Sequence, residues 1–197
     1  MPVFVAELLG TFVLALGVGL SVSDASALPT AVIAGLTLGT MVYVLGSVSG
    51  CHINPAVTVA LWSRGSIKSS QAVGYVVAQL IGGLLASAVS AAVFGRIMVL
   101  GMAGDSLSIV LAEAAGAFML VLGVTAVVDK RVPHDASGLA IGSSLLLGIL
   151  IASHGSAGIA NPAVAVGLGS ISVSYILGPI VGGIAAAALS KMWLKFK

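Results

Sequence analysis

The chain has 197 residues, of which 59% are hydrophobic and 7% are charged, and its mean hydropathy is +1.21. A soluble domain carries roughly 25% charged residues, so this composition excludes a soluble fold. The net charge of +2 comes without a basic cluster, which excludes nucleic acid as a partner, and the lone Cys51 excludes an internal disulfide. We therefore predict one membrane domain over residues 1–197, surrounded by the lipid bilayer.

Six segments are long and apolar enough to cross a bilayer, which takes about 20 helical residues. No basic segment precedes the first and no clear small-residue cleavage site follows it, so we expect a retained span and not a signal peptide. Two further apolar stretches, 49–62 and 155–169, are too short to cross and contain Asn-Pro, so they are predicted to be re-entrant. The predicted spans are residues 3–22, 31–48, 71–95, 106–128, 137–153 and 172–194.

Three landmarks recur in the same order in the two halves of the chain, about residues 1–100 and 101–197. Each half contains three predicted spans, and because three is odd the second half must lie upside down relative to the first. Inverted repeats of this kind place the functional site near the membrane midplane. The landmarks are Ala6-Glu7-x-x-Gly10 with Ala112-Glu113-x-x-Gly116, Asn54-Pro55-Ala56-Val57 with Asn161-Pro162-Ala163-Val164, and Tyr75-x6-Gly82-Gly83 with Tyr175-x6-Gly182-Gly183.

The basic residues predict the orientation in the membrane. Seven of the eight fall on one side of the six-span topology, whereas Arg96 falls on the other. By the positive-inside rule the richer side is cytoplasmic, so both termini and the loops 63–70 and 129–136 are predicted to lie in the cytoplasm of a multi-pass cell-membrane protein. The seven are Arg64, Lys68, Lys130, Arg131, Lys191, Lys195 and Lys197.

Each re-entrant segment contains Asn-Pro followed by an apolar run, a pattern that begins a helix. Asn is a favoured N-cap and Pro suits the first helical turn, so each segment should enter as an extended strand and return as a half-helix. The positive N-terminal ends of the two half-helices would face each other, with two Asn amides donating into a pore. Two capped, buried turns without a channel are the structural alternative. The predicted caps are Asn54 and Asn161, and the half-helices start at Pro55, Ala56, Pro162 and Ala163.

These motifs resemble the major intrinsic protein (aquaporin and aquaglyceroporin) family over essentially the whole chain. The resemblance implies an all-α membrane fold with six transmembrane helices and two re-entrant half-helices, arranged as an inverted three-helix repeat. It also implies a homotetramer without a cofactor that passes water and small neutral solutes. The matching residues are Ser49-Gly50-x-His52-x-Asn54-Pro55-Ala56-Val57-Thr58, Ala6-Glu7-x-x-Gly10-Thr11, Ala112-Glu113-x-x-Gly116 and Tyr75-x-x-Ala78-Gln79-x-x-Gly82.

Glu7 and Glu113 are acids at lipid depth, and such residues are functional by default. A catalytic carboxylate pair is one interpretation, whereas the family resemblance implies acceptors for the backbone of the re-entrant loops. His52, two residues before Asn54, is predicted to anchor the first loop near the cytoplasmic pore mouth. Cys51 is predicted either to line the pore or to fill a gap as a small buried thiol. The remaining histidines are predicted to be ordinary loop residues, and no metal site can be built from three histidines and one cysteine.

The family usually has Arg three residues after the second Asn, at the outer constriction, and this chain has Val164 there. Carried over by spacing, the other constriction residues are Ala34, Gly158 and Ile149. This apolar ring is typical of a divergent member: it admits larger solutes, offers water few hydrogen bonds and lacks a fixed charge against cations. We expect a passive channel for water and small uncharged solutes. The alternative is a facilitator of glycerol, urea or ammonia that conducts water poorly.

Three other classes of function remain open at this point. A proton-coupled transporter would share the inverted repeat but needs a titratable relay, for which only Glu7 and Glu113 are available. A structural or junctional membrane protein could keep the same fold with a closed pore. An intramembrane enzyme is disfavoured because no nucleophile–base pair is recognisable.

Overall fold

The computed structural model describes residues 1–23, 28–98 and 104–194. These ranges contain eight α-helices and a 3-10 turn at His134–Ala136, and six of the helices are long and apolar enough to span a membrane. The predicted fold class is confirmed, and the predicted span boundaries agree with the observed ones to within two residues. The helices are α1 Val3–Ser23, α2 Thr30–Ser49, α3 Pro55–Ser63, α4 Ser69–Phe94, α5 Leu107–Val128, α6 Ser137–Ala152, α7 Pro162–Gly167 and α8 Val173–Leu194.

The two short helices start in the same way and differ in length. Each begins with Pro directly after an extended Asn, and α3 has nine residues whereas α7 has six. Both stop before a glycine in the left-handed conformation, Gly65 with φ 79° and Gly169 with φ 65°. Since glycine is the residue that ends helices in this conformation, its distance from the cap sets the helix length. The second short helix therefore loses about one turn.

The packing of the helices repeats the sequence symmetry. Helix α1 packs against α4 and α5 against α8, while α2 and α6 join the two halves. Each short helix packs against a span of the opposite half, α3 against α8 and α7 against α4. The halves are therefore interlocked through the short helices.

The paired glycines of the third landmark explain how this crossing is achieved. A Cβ added to Gly82 would lie 2.5 Å from the carbonyl oxygen of Leu8 in α1, and one added to Gly83 would collide with the carbonyl of Ala163 in α7. The second pair repeats the arrangement, since a Cβ on Gly183 would lie 3.0 Å from the carbonyl oxygen of Ala56. One glycine of each pair admits the first span of its own half, and the other admits the short helix of the opposite half.

Charged side chains cluster where α3 and α5 end. Arg64 follows α3 and forms an ion pair with Asp129 after α5, at 2.5 Å between Nη2 and Oδ1, with only 7% and 4% of the side chains exposed. Arg131 lies 3.8 Å from the same carboxylate and stacks on the ring of Trp193 near the end of α8. Three chain segments with predicted cytoplasmic residues therefore meet at one end of the bundle. Of the other predicted cytoplasmic residues, Lys195 and Lys197 lie outside the described residues.

Candidate pore and selectivity constriction

The two Asn caps meet in the middle of the molecule and each contacts the opposite loop. Nδ2 of Asn54 donates to the carbonyl of Ala160 at 2.9 Å, and Nδ2 of Asn161 donates to the carbonyl of Ile53 at 3.0 Å. Each Oδ1 accepts from the first turn of its own helix, at 2.8 Å from the amide of Ala56 and 3.0 Å from that of Ala163. An amide group carries two N–H donors, so each Asn retains one beyond this crossed pair of bonds.

The backbone before each cap is left-handed at two equivalent positions. These are Cys51 and Ile53 in the first loop, with φ 51° and 39°, and Gly158 and Ala160 in the second, with φ 66° and 51°. The conformation is unfavourable for residues other than glycine, above all for β-branched Ile53, and costs about 1–3 kcal/mol per residue. Only Gly158 carries a sequence signal for it, so strong contacts must hold the other three.

Glu7 supplies those contacts in the first loop. Its carboxylate is fully buried and accepts from the backbone N–H of His52 at 2.9 Å and of Ile53 at 2.7 Å. It also accepts from Oγ of Ser49 at 2.6 Å and from Nε2 of Gln79 at 2.7 Å. Four donors from three chain segments therefore surround one carboxylate.

Glu113 takes the same place in the second loop with fewer donors. Its buried carboxylate accepts from the N–H of Ile159 at 3.0 Å, the N–H of Ala160 at 2.6 Å and Oγ of Ser156 at 2.7 Å. Each glutamate thus serves the loop of its own half, which is the arrangement that the family resemblance implies. The two acids do not share their donors, as the partners of a catalytic pair would.

A polar cluster surrounds the first loop. Nδ1 of His52 is hydrogen-bonded to Oγ1 of Thr58 at 3.1 Å, and Nε2 of Gln79 donates to the same oxygen at 2.9 Å. The His52 ring packs edge-on against Tyr75, whose hydroxyl donates to the carbonyl of Ser49 at 2.6 Å. His52 therefore holds the loop through side-chain contacts. The sequence motifs contained Thr58 and Gln79 but assigned them no role, because the three residues meet only after folding.

Apolar residues replace this cluster in the second half. The positions equivalent to His52, Thr58 and Gln79 are Ile159, Ala165 and Pro179, counted from the repeat landmarks. Of the two rings in that cluster, His52 and Tyr75, only the tyrosine has an aromatic counterpart. The hydroxyl of this counterpart, Tyr175, accepts from the backbone N–H of Ala157 at 3.0 Å. The second loop is thus held by its glutamate and its tyrosine within an apolar surrounding.

A cavity of about 340 Å³ opens on the second-loop side of the crossed asparagines. The four predicted constriction residues, Ala34, Ile149, Gly158 and Val164, all line it, together with Asn161. Each of the four is buried. None of the described residues that line the cavity is charged, so the second-loop side of the site has a largely apolar wall, with the side-chain amide of Asn161 as part of its lining.

Cys51 does not line this cavity, whereas its repeat counterpart Gly158 does. Cys51 is 4% exposed, and its backbone N–H donates to Oγ of Ser49 at 3.0 Å. That Cys51 lines the pore stays a prediction. Across the described ranges, no three His, Cys, Asp or Glu side chains come together as metal ligands would.

Comparison with known proteins agrees with this geometry. The family model described as major intrinsic protein matches residues 2–190. Aquaporin Z of Photorhabdus laumondii is 32% identical, with 95% of each chain covered, and aquaporin NIP1-1 of Zea mays is 34% identical, with 93% of this chain and 71% of that one covered. The X-ray structure of the aquaglyceroporin from Plasmodium falciparum has the same fold, with a TM-score of 0.82 at 19% identity over 98% of this chain and 97% of that one.

The chain belongs to the major intrinsic protein family. It is therefore a multi-pass membrane channel and not an enzyme.

Proposed function

We propose that the protein is a passive channel for water and small uncharged solutes, and that its constriction favours the solutes over water. The observation that supports the proposal is the meeting of Asn54 and Asn161 next to a cavity walled by Ala34, Ile149 and Val164. Water in such a ring finds few hydrogen-bond partners, while the absence of a bulky or charged side chain at position 164 leaves room for a larger molecule.

At the midplane, the proposed conduction step uses the spare N–H of each Asn. A solute oxygen accepts from one amide and then from the other as it passes. Cations are opposed there by the positive N-terminal ends of α3 and α7, which begin at Pro55 and Pro162. With Val164 in the outer ring, these half-helix ends and amides carry the charge barrier without a fixed cation.

Glu7 and Glu113 act in this proposal as positioning residues. They accept from the N–H groups of Ile53 and Ala160, whose carbonyls accept in turn from Asn161 and Asn54. Each glutamate therefore fixes the loop that orients the asparagine of the other half. Movement of either carboxylate would displace both pore amides.

The orientation and assembly are also proposals. Both termini are assigned to the cytoplasmic side of the cell membrane, with support from the positive-inside rule and the cluster of Arg64 and Arg131 at one end of the bundle. In a Cys51→Ser background, an impermeant thiol reagent outside cells should label a cysteine at position 105 and not at position 68. The reverse labelling would contradict the orientation. A homotetramer, the family's typical assembly, is tested by the mass of the detergent-solubilised protein.

Stopped-flow permeability of reconstituted vesicles tests the proposed conduction. Water, glycerol, urea and ammonia are compared with protein-free vesicles, and the protein should accelerate at least one of the three solutes. Val164→Arg should lower the glycerol and urea rates more than the water rate, since it narrows the ring and adds donors for water. Val164→Leu is the control that keeps the ring apolar. Rates equal to those of protein-free vesicles for every solute would overturn the proposal.

A further inference from the structure

We propose that Lys130, Arg131 and Trp193, where α5 and α8 end, form a binding site for the phosphate group of an anionic phospholipid. We refer to these three residues as the α5–α8 site. The inference goes beyond the proposed channel function and does not depend on which solute the pore conducts. It follows from the difference between two arginines that share one carboxylate.

The first of these arginines, Arg64, is held by the protein itself. Its Nη2 is paired with Oδ1 of Asp129, and its Nη1 donates to Oγ of Ser190 in α8 at 3.3 Å. Only 7% of its side chain is exposed. Buried polar groups are normally hydrogen-bonded, and Arg64 follows this rule, so its contacts explain its place in the fold.

The second arginine, Arg131, is not held in this way. Its Nη2 lies 3.8 Å from Oδ2 of Asp129, too far for a hydrogen bond. Among the residues that the structure describes, neither Nε nor Nη2 of Arg131 has a hydrogen-bond acceptor. Asp129 is already paired with Arg64, and a quarter of the Arg131 side chain is exposed. The guanidinium is therefore open to an added oxyanion, and phosphate is one that arginine binds especially well.

Lys130 adds a second cation beside this guanidinium. It is exposed and has the left-handed conformation that ends α5, with φ 56°. Glycine is the residue that usually ends a helix in this conformation, because a side chain is unfavourable there. Lysine at this position thus places two adjacent positive charges at the end of α5, which favours a ligand with a negative charge.

The surroundings favour a lipid as the source of the phosphate. The guanidinium of Arg131 stacks 4.9 Å from the centre of the Trp193 ring, and tryptophan is enriched at the level of the lipid headgroups. Exposed aliphatic side chains lie within one turn on both helices, Val128 in α5 and Met192 in α8. A phospholipid contacts the cations with its phosphate and these side chains with its hydrocarbon part, whereas free phosphate uses the cations alone. Basic pockets between helices on the cytoplasmic side are known to bind anionic headgroups.

The fluorescence of Trp193 tests the proposed site. The chain has two tryptophans, so Trp62→Phe leaves Trp193 as the only one. The full chain with this change is reconstituted in phosphatidylcholine vesicles that contain increasing fractions of brominated phosphatidylglycerol or brominated phosphatidylcholine, whose bromine quenches a neighbouring indole. Phosphatidylglycerol should bind next to Trp193 about fivefold more tightly, as expected for one charge contact at the membrane surface. Equal quenching by the two lipids would overturn the inference.

Substitutions separate the α5–α8 site from a general attraction between anionic lipid and basic residues. Arg131→Gln should lower the preference for phosphatidylglycerol to about twofold or less. Lys68→Gln is the matched control, because it removes one exposed charge from another predicted cytoplasmic loop, and it should leave the preference unchanged. Arg131→Lys keeps the charge without the planar fork, so an intermediate preference is expected even if Arg131→Gln does not fold. A preference that Arg131→Gln leaves unchanged, or that Lys68→Gln lowers equally, would contradict the site.

Inorganic phosphate distinguishes a lipid headgroup from a free anion. Added to the Trp62→Phe protein in a neutral detergent, it should change the Trp193 fluorescence no more than sodium chloride of the same ionic strength. Phosphatidylglycerol in the same detergent should change it at a far lower concentration. If inorganic phosphate changes the fluorescence and also relieves the quenching by brominated phosphatidylglycerol, the site binds a soluble anion and the assignment to a lipid is wrong.

Discussion

The loop before α3 and the loop before α7 share one backbone and differ in side-chain chemistry. Both are left-handed at two equivalent residues, both bind a buried glutamate, and both end in an Asn that reaches the opposite loop. The first loop adds His52, Thr58 and Gln79, whereas apolar residues stand at the equivalent places of the second. The side-chain polarity has therefore diverged between the two halves, whereas the backbone conformation has not.

The comparison shows which contacts the architecture needs. The glutamate, the serine that donates to it, the tyrosine hydroxyl and the crossed Asn bonds occur in both halves, so these contacts form the common support of the strained loops. The polar cluster of the first half is an addition that stabilises one loop further. In the second half the equivalent positions are apolar, so the fold tolerates low polarity around that loop.

The ends of the short helices differ as well. Helix α3 continues to Arg64, which is paired with Asp129 in the other half of the chain. Helix α7 ends a turn earlier, with the uncharged Leu168 as its C-cap. The first short helix is thus tied to the second half by charge, while the second depends on packing.

The largest effect is expected from the glutamates. Glu7→Gln places an amide N–H₂ where one carboxylate oxygen accepts two donors, and it should lower the free energy of unfolding by about 3 kcal/mol. Glu113→Gln disrupts one of the three hydrogen bonds that the Glu113 carboxylate accepts. It should destabilise the protein less than Glu7→Gln, because fewer donors of the second loop depend on the carboxylate. Thermal unfolding of the detergent-solubilised protein measures both. Equal losses of stability in the two variants would contradict the expected difference between the two loops.

Breaking the charge contact of α3 should have the next largest effect. Asp129→Ala leaves the nearly buried guanidinium of Arg64 without its carboxylate. This change should destabilise the protein by about 3 kcal/mol. The double variant Arg64→Leu with Asp129→Leu should recover part of the loss, because Arg64 is then no longer a nearly buried charge without its carboxylate, while Arg131 still loses the carboxylate 3.8 Å away. Chemical denaturation of the two variants tests this, and a double variant as unstable as the single one would contradict it.

A smaller effect is expected from the polar cluster of the first loop. Thr58→Val keeps the shape and removes the oxygen that contacts His52 and Gln79, so it should destabilise by about 1–2 kcal/mol. Thr125→Val is the control, since its hydroxyl donates to Leu122 within one helix at 3.0 Å. Thermal unfolding should separate the two variants. A larger loss in the control would show that the cluster does not stabilise the loop.

The smallest effect concerns the start of α8. Oδ1 of Asp105 accepts from the N–H of Ser174 at 2.8 Å, and hydrogen bonds from Ser174 hold the pKa of Asp105 below its ordinary value. A lowered folded-state pKa contributes stability above the ordinary pKa, and the contribution is lost as the pH falls through the folded-state value. When the pH is lowered below the ordinary pKa of an aspartate, the unfolding temperature of the wild type should therefore fall slightly more than that of Asp105→Asn. Parallel curves for the two proteins would contradict this.

Local rules were enough to predict much of this molecule. The bilayer requires long apolar helices, so hydropathy alone located six spans to within two residues. Asn-Pro marked the start of α3 and α7, because capping and the first helical turn depend on adjacent residues. The repeated landmarks predicted equivalent sites in the two halves, and the family resemblance, carried over by spacing, pointed to four residues that line one cavity.

Only the tertiary structure decided how the loops are held. Ile53 adopts a conformation that its own side chain disfavours, because Glu7, 46 residues away, and Asn161, 108 residues away, bind its N–H and carbonyl. No local propensity contains that information. The pairing of Arg64 with Asp129 is of the same kind, since it joins groups 65 residues apart that only the packed helices bring together.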